Sequence, residues 1–265
     1  MKRVFVIFCV FALCSLCLLM NTIAVNAAAA GYSHTTYFLA NPVTLDGNWT
    51  NAAEWADTGS TSFGNTSTQS IFRSKWGATS DFSVISQYIL VEFLSDTTND
   101  PSDYWQFCFD GDTSGGTAPA SGDIRIDING HTTLAAYGGS GTGWTSTASP
   151  ASFTWSNKFT ATPTSSTPHW VLEVIIDKIT FGIGANYWLR IACYDASNAA
   201  AGVQAWPPTS RDVPNDWGDI PYSMDPIPES LSLGVVVLLS SAALIVGSVY
   251  LRKRPKTTII TPMKL

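Results

Sequence analysis

Charged residues are scarce in this 265-residue sequence, at 13% where soluble proteins average about 25%. Basic residues are scarcest, because positions 28–230 contain seven Lys and Arg against all twenty acidic residues, a formal charge of −13. A segment this acidic repels phosphate backbones, so we expect no nucleic-acid partner. Ten Trp, nine Tyr and thirteen Phe provide apolar area for a core, which excludes a wholly disordered chain.

The 3.6-residue apolar period of helices is almost absent between positions 36 and 222. Alternating apolar runs bounded by Gly, Asn, Asp, Pro or Ser occur instead, which is typical of strands. We predict strands at 87–94, 104–109, 123–128, 170–176 and 187–194, and surface loops at 110–122, 138–150 and 160–168. The pattern predicts an all-β domain, a β-sandwich of jelly-roll or immunoglobulin-like type.

Cysteine, histidine, methionine and glutamate are also few. Only Cys108 and Cys193 fall inside the predicted domain, and they form either one disulfide or two buried thiols. Met224 is the single methionine between 28 and 230, which disfavours haem, and two cysteines disfavour zinc. The sequence has only four Glu, and no pattern among them indicates the pair of carboxylates that a glycoside hydrolase needs. The Gly-x-Ser-x-Gly motif of serine hydrolases is absent. We therefore predict that the protein is not an enzyme.

Both ends of the chain resemble targeting segments. A basic start, an apolar run and small residues predict a signal peptide over 1–28, with an uncleaved anchor as the alternative. Positions 223–230 form a Pro-rich stalk, 231–251 an uncharged stretch long enough for a transmembrane helix, and 252–265 a basic cytoplasmic tail. Pro228-Glu229 is followed by the uncharged stretch and then by a basic cluster. This order resembles the sorting signals read by exosortases and archaeosortases, although Ser230 is not the residue that usually follows Pro-Glu in those signals. A permanent anchor is the alternative.

Several motifs, in order, resemble family 9 carbohydrate-binding modules and DOMON-like sugar-binding domains. The first is Leu45-Asp46-Gly47-Asn48-Trp49 followed by Glu54-Trp55-Ala56-Asp57. Two later ones are Asp103-Tyr104-Trp105-Gln106-Phe107-Cys108-Phe109-Asp110 and His169-Trp170-Val171-Leu172-Glu173-Val174. The resemblance covers nearly all of 36–222, and it implies a β-sandwich that binds sugar.

Such modules hold a sugar between aromatic rings, with polar groups beside them. Trp206 and Trp144, both in polar loops, are the best candidates for exposed rings, and Trp76 is the third; each could instead pack on the core. By their position in the motifs, Asp103, Gln106 and Arg125 are candidates for hydroxyl contacts or for a solvated sheet face. Gln106 replaces the Glu that the family has at its position.

Acidic residues also cluster in sequence. Asp96, Asp100 and Asp103, with Asp110 and Asp112 nearby, are candidate ligands for calcium, or else ordinary turn residues. Asn48 and Asn65 begin glycosylation sequons.

The sequence therefore predicts a cell-surface module, anchored in a membrane through 231–251, that binds a polysaccharide or glycoconjugate and assists a separate secreted glycoside hydrolase. The alternative is a structural or adhesive envelope protein that has kept the sandwich and lost the sugar site. Gln106 favours this alternative.

Overall fold

The computed structural model describes residues 31–65, 68–208 and 210–224. The predicted signal peptide, transmembrane stretch and basic tail lie outside these residues, as does most of the predicted stalk. Within the described ranges, no helix is both long and apolar enough to cross a membrane. Helical structure there is limited to α1 (Lys178–Phe181) and two short 3-10 helices, Ala196–Ala201 and Pro214–Asp216.

Two antiparallel-rich sheets of seven strands each make up the described domain. The back sheet has the order β14-β1-β3-β4-β10-β9, with β2 also paired to β3, and the front sheet has the order β12-β11-β5-β6-β7-β8, with β13 also paired to β11. The strands are β1 (Thr36–Phe38), β2 (Ser60–Asn65), β3 (Thr68–Ala78), β4 (Ile85–Phe93), β5 (Tyr104–Asp110), β6 (Ile124–Asn129), β7 (Thr133–Gly139), β8 (Trp144–Thr147), β9 (Phe153–Thr160), β10 (His169–Asp177), β11 (Tyr187–Tyr194), β12 (Gln204–Trp206), β13 (Gly218–Ile220) and β14 (Tyr222–Ser223).

The core lies between the two sheets and follows from the alternation of the strands. Side chains at every second position point to one face, so Ile89, Val91 and Phe93 of β4 are all buried on the inner face of the back sheet. They belong to the same cluster as the inner residues of the front sheet. Phe107, for example, contacts Phe153 across the interface, with 6.1 Å between ring centroids. The predicted two-sheet β-sandwich is therefore confirmed.

A second, smaller core covers the outer face of the back sheet. Trp49 and Trp55, from the segment before β2, pack there on Leu90 and Val171. The Glu173 carboxylate, buried on the same face, accepts hydrogen bonds from the backbone N–H groups of Asp46 and Gly47 and from the Trp55 indole. The residues of the first motif, which resembles carbohydrate-binding modules, thus bind the N-terminal segment to the outer face of the back sheet.

The two cysteines of the domain are separate thiols. Cys193 faces the inner core, whereas Cys108 is paired with Arg190 on the outer face of the front sheet. Because they lie on opposite faces, they do not bond to each other, and both are fully buried. Of the two alternatives from the sequence, the buried thiols are correct.

One of the predicted loops is wrong. Positions 138–150 contain the end of β7 and all of β8, which pair as a hairpin. Gly139 has a packing reason, because a Cβ there would lie 2.0 Å from the carbonyl oxygen of Ala120. The Ser and Thr residues of β8 are exposed, as expected for a strand at the edge of a sheet.

Candidate functional site

The outer face of the front sheet carries a continuous set of polar side chains. Alternation along β5 places Gln106 on this outer face, and register places it beside Asp127 of β6, two residues from Arg125. Arg190 projects from β11 on the same face. Asp212, in the segment after β12, completes what we call the front-face network: Gln106, Arg125, Asp127, Arg190 and Asp212.

Carboxylates hold the two arginines of the network in place. Arg125 Nη2 lies 2.7 Å from Asp127 Oδ2, and its Nη1 lies 3.1 Å from Asp212 Oδ2. Gln106 donates its Nε2–H to Asp127 at 3.0 Å and accepts a hydrogen bond from Arg190. Burial alone would lower the pKa of Arg125, but its hydrogen bonds to Asp127 and the charges of both carboxylates outweigh burial and raise it. The Arg125 guanidinium therefore stays protonated at neutral pH.

Solvent reaches the network at one side. The Arg125 and Asp212 side chains are 23% and 40% exposed, whereas those of Asp127 and Arg190 are 8% exposed. The exposed side chains of Arg125 and Asp212 are thus held by the buried side chains of Asp127 and Arg190, and Asp127 fixes the orientation of the Arg125 guanidinium. A ligand lying on this face would meet oriented N–H donors and carboxylate acceptors.

Aromatic rings flank the network along the same face. Tyr104 and Tyr194, on the neighbouring strands β5 and β11, stack with 5.4 Å between centroids at 19°. On the other side, the Arg125 guanidinium lies 5.1 Å from the ring centroid of Tyr137. Burial raises the pKa of the Tyr104 hydroxyl, which therefore remains a neutral donor. The face combines flat apolar rings with fixed polar groups.

Two of the predicted site residues, Gln106 and Arg125, are brought together by the structure. Trp144 lies farther along the same face, half-buried, with its ring parallel to that of the buried Trp217 at 6.3 Å. Sequence reasoning missed Tyr104, Asp127, Arg190 and Asp212. Alternation from Gln106 and Arg125 points to Tyr104 and Asp127, whereas nothing local indicates Asp212.

The prediction that Trp206 is an exposed ring in a loop is wrong. Trp206 ends β12, is 3% exposed and packs on Phe72 of the opposite sheet at 4.9 Å. Gly218 lies directly against its ring, where a Cβ would be 2.3 Å from the indole. The flanking prolines suggested a polar loop, but the aromatic ring fills the core and offers no face to a ligand.

The prediction for Trp76 is also wrong, since it is 4% exposed in β3 of the back sheet. Its ring stacks on Tyr222 at 5.1 Å, and its indole N–H donates to the Ser223 carbonyl. Asp103, expected beside Gln106, is fully buried before β5 and lies away from the front-face network. Trp76 and Asp103 therefore do not take part in this site.

Asp103 instead belongs to an acid–histidine cluster: Asp96, Asp100, Asp103, His131 and Asp195. His131 Nε2 lies 3.2 Å from Asp103 and 3.6 Å from Asp96. Burial and the charges of Asp103 and Asp195 raise the pKa of Asp96 to about 7, although the Thr98 N–H bond opposes the rise. Sequence reasoning missed Asp195, which follows β11, and His131, which lies in the turn between β6 and β7.

Within the cluster, the predicted calcium ligands are divided between two sets. Asp100, Asp103 and Asp195 form an all-oxygen set, which suits Ca²⁺. Asp96 instead groups with Asp103 and His131, and a histidine nitrogen does not suit calcium. Asp110 and Asp112, expected nearby, lie at the opposite end of β5 and take no part.

The remaining glutamates of the domain have structural partners, and the two sequon asparagines lie at or near the surface. Glu54 accepts from the Thr44 N–H, and Glu92 accepts from the hydroxyls of Thr162 and Thr164. Asn48 is half-buried in its own turn, and Asn65 is exposed at the end of β2. Glycosylation at these asparagines stays a prediction.

Neither a protein-family model nor a curated protein sequence matches this chain. Two solved structures similar to it are family 9 carbohydrate-binding modules from Caldicellulosiruptor kristjanssonii. One, in complex with cellotriose, is 12% identical, covers 73% of this chain and 94% of its own, and has a TM-score of 0.48. The other, in complex with glucose, is 13% identical with coverages of 74% and 99% and a TM-score of 0.47. The function proposed below therefore rests on residues of this chain.

Proposed function

We propose that the protein binds a glycan on the outer face of the front sheet without catalysing its cleavage, as a module of the family 9 or DOMON-like type. The observation that carries this proposal is the front-face network, held rigid from below and flanked by the rings of Tyr104 and Tyr137. Sugars present hydroxyl groups at their edges and C–H groups on their faces, and such a surface complements both.

Each part of the surface has a separate role in this proposal. The exposed edge of Arg125 donates to sugar hydroxyls, and Asp212 accepts from them. The rings of Tyr104 and Tyr194 stack on the apolar face of the sugar, and Trp144 extends the aromatic surface. A binding site gains specificity from a small number of polar groups held in fixed orientations.

The proposal includes the location of the protein. Residues 231–251 are an uncharged stretch followed by basic residues, and we propose that they anchor the domain at the outer surface of a membrane. A separate glycoside hydrolase acting on the bound glycan would be the functional partner. Processing by a sortase-like enzyme at Pro228-Glu229 would remove this anchor and is the alternative to permanent anchoring.

The second candidate function is a structural or adhesive envelope protein. It is favoured by one observation: the charges of the front-face network neutralise one another, and Gln106 is only 6% exposed. A face whose polar groups are already satisfied needs no ligand.

A glycan array probed with the full chain in detergent separates the two candidates. We expect saturable binding that Tyr104→Ala reduces at least tenfold and Tyr104→Phe leaves nearly intact, because stacking needs the ring and not the hydroxyl. Arg125→Met should also reduce binding.

Arg211→Met is the matched control, because Arg211 lies beside Asp212 in sequence but its side chain is 75% exposed and outside the network. Binding should survive this change. If a cooperatively folded protein binds no glycan on the array, the result favours the structural alternative. If Arg125→Met and Arg211→Met reduce glycan binding equally, positive charge alone accounts for the binding.

A further inference from the structure

Exposed apolar side chains are concentrated at one end of the sandwich. Among the described residues, eight large apolar side chains are exposed. Five of them form what we call the exit-end patch: Phe38, Phe82, Val84, Ile179 and Met224. They are far apart in sequence, so their grouping is a property of the fold.

The strand register brings these residues to the same end of the back sheet. β1 runs parallel to both β3 and β14, with Phe38 opposite Trp76 and Tyr37 opposite Ser223, so that Met224 follows at the level of Phe38. The turn carrying Phe82 and Val84 extends beyond the last pair of β3 and β4. Ile179 lies in α1, directly after β10 ends opposite Ser86. Five adjacent strands contribute, a width of about 19 Å.

Phe82 is presented by an unfavourable backbone conformation. Its φ is +55°, in the left-handed region that side-chain-bearing residues rarely adopt, and its side chain is 55% exposed. Glycine or asparagine would fit this turn without strain, and a polar residue would suit an exposed tip. Strain combined with an exposed phenylalanine indicates that the ring serves contact with something outside the domain.

The chain leaves the described domain through this patch. Met224 is its last described residue and is 68% exposed. Six residues, 225–230, separate it from the uncharged stretch 231–251. Fully extended, six residues span at most about 21 Å, which limits how far from Met224 a membrane that held 231–251 could lie.

We propose that the exit-end patch rests on a zwitterionic lipid bilayer, with Phe82, Val84 and Ile179 inserted among the headgroups. This inference rests on the anchoring through 231–251 stated under the proposed function. The patch is edged by Asp81 and Asp177, each of which accepts hydrogen bonds from its own turn. Fixed negative charges at this rim disfavour an anionic surface and favour a neutral one.

Docking at this end would also orient the candidate sugar site. The antiparallel strands β5 and β11 extend between the two ends, with Phe109 of β5 against Phe181 of α1 towards the exit end and with Tyr104 and Tyr194 at the opposite end. The two tyrosine rings would therefore lie away from the membrane, separated from it by the length of the strands β5 and β11.

The test uses the full chain in phosphatidylcholine nanodiscs, with an environment-sensitive fluorophore attached to Phe82→Cys or, as the control, to Phe159→Cys. Phe159 is exposed to a similar degree, 44%, but lies towards the opposite end of the sheet. Cys108 and Cys193 are fully buried and should not react, and Cys9, Cys14 and Cys17 are replaced by Ala in both proteins. The readouts are the emission maximum and quenching by nitroxide-labelled lipids.

We expect blue-shifted emission at position 82, with quenching several-fold stronger than at position 159. Adding Ile179→Ser should weaken the quenching at position 82, whereas adding Val203→Ser, on an exposed valine outside the patch, should not. Anionic phosphatidylglycerol nanodiscs should give less quenching than neutral ones.

Three outcomes would overturn the proposal, and they are distinguishable. Water-like emission at both positions in a chain that stays with the lipid would refute docking and leave the anchor intact. A chain that does not associate with lipid would refute the anchor as well. A blue shift that grows with protein density but is not quenched by lipid would assign the patch to a second copy of the chain.

Discussion

The carboxylate of Glu173 accepts a hydrogen bond from the indole N–H of Trp55, with 3.0 Å between Oε1 and Nε1. The two residues are 118 positions apart, and both are buried. They come from two of the motifs by which the sequence resembles sugar-binding modules. Their meeting shows that these motif residues attach the N-terminal segment to the back sheet, on the face opposite the candidate site.

Trp55→Phe should lower the free energy of unfolding by about 1–3 kcal/mol, because it removes one donor from a buried carboxylate. Trp49→Phe is the matched control, since its indole donates only to the Asn51 carbonyl within the same turn. Urea unfolding of both variants measures the difference. A loss at Trp49 as large as that at Trp55 would mean that the ring volume matters and the bond to Glu173 does not.

Trp206→Ala should lower the free energy of unfolding by about 3–5 kcal/mol, as large-to-small changes in a packed core do. Trp144→Ala should lower it by only about 1–2 kcal/mol, because its ring is half-buried and loses mainly the stacking on Trp217. Denaturant midpoints of the two variants give the comparison. The opposite order would place Trp206 outside the core.

Lys178 should make stability depend on pH above neutrality. Burial, beside the rings of Tyr187 and Tyr222, lowers its pKa from 10.5 to about 7. Between these two values the unfolded chain binds more protons than the folded one, so the free energy of unfolding should rise with pH. Comparing pH 7.5 with pH 9 should give a gain of order 2 kcal/mol.

The control for this prediction is Lys178→Met, which keeps an apolar chain in the same space and cannot titrate. Its unfolding free energy should change less over the same pH interval. If the variant and the original protein have parallel pH profiles, Lys178 is charged in the folded state or other groups produce the slope.

Calcium should raise the melting temperature if the all-oxygen set binds it. At a hundredfold excess over its dissociation constant, a ligand specific for the folded state adds about 2.7 kcal/mol of stability. Asp100→Asn should remove the response, whereas Asp112→Asn, at the other end of β5, should leave it unchanged. Identical melting curves in Ca²⁺ and in EDTA would show that the all-oxygen set does not bind calcium.

Local pattern predicted the fold class and five of the fourteen strands of the described residues, but not the site. The aromatic-rich run 187–194 predicted a strand with the bounds that β11 has, because aromatic and β-branched residues favour strands. Trp206 was misjudged because its flanking prolines resemble a loop, and only Phe72 on the other sheet reveals why it is buried. Asp212 joins the front-face network through a contact with Arg125, 87 residues away. No local rule specifies such a partner.

The pairing of β14 with β1 has a consequence for how the protein is made. Thr36 lies opposite Tyr222, so the first strand of the described domain gains its outer neighbour from the last. While the chain is being synthesised, the edge of β1 stays open until nearly all of the domain has left the ribosome. Such an edge can pair with other chains. Closure of the back sheet therefore comes late in synthesis, and a product truncated before β14 would leave the outer edge of β1 unpaired.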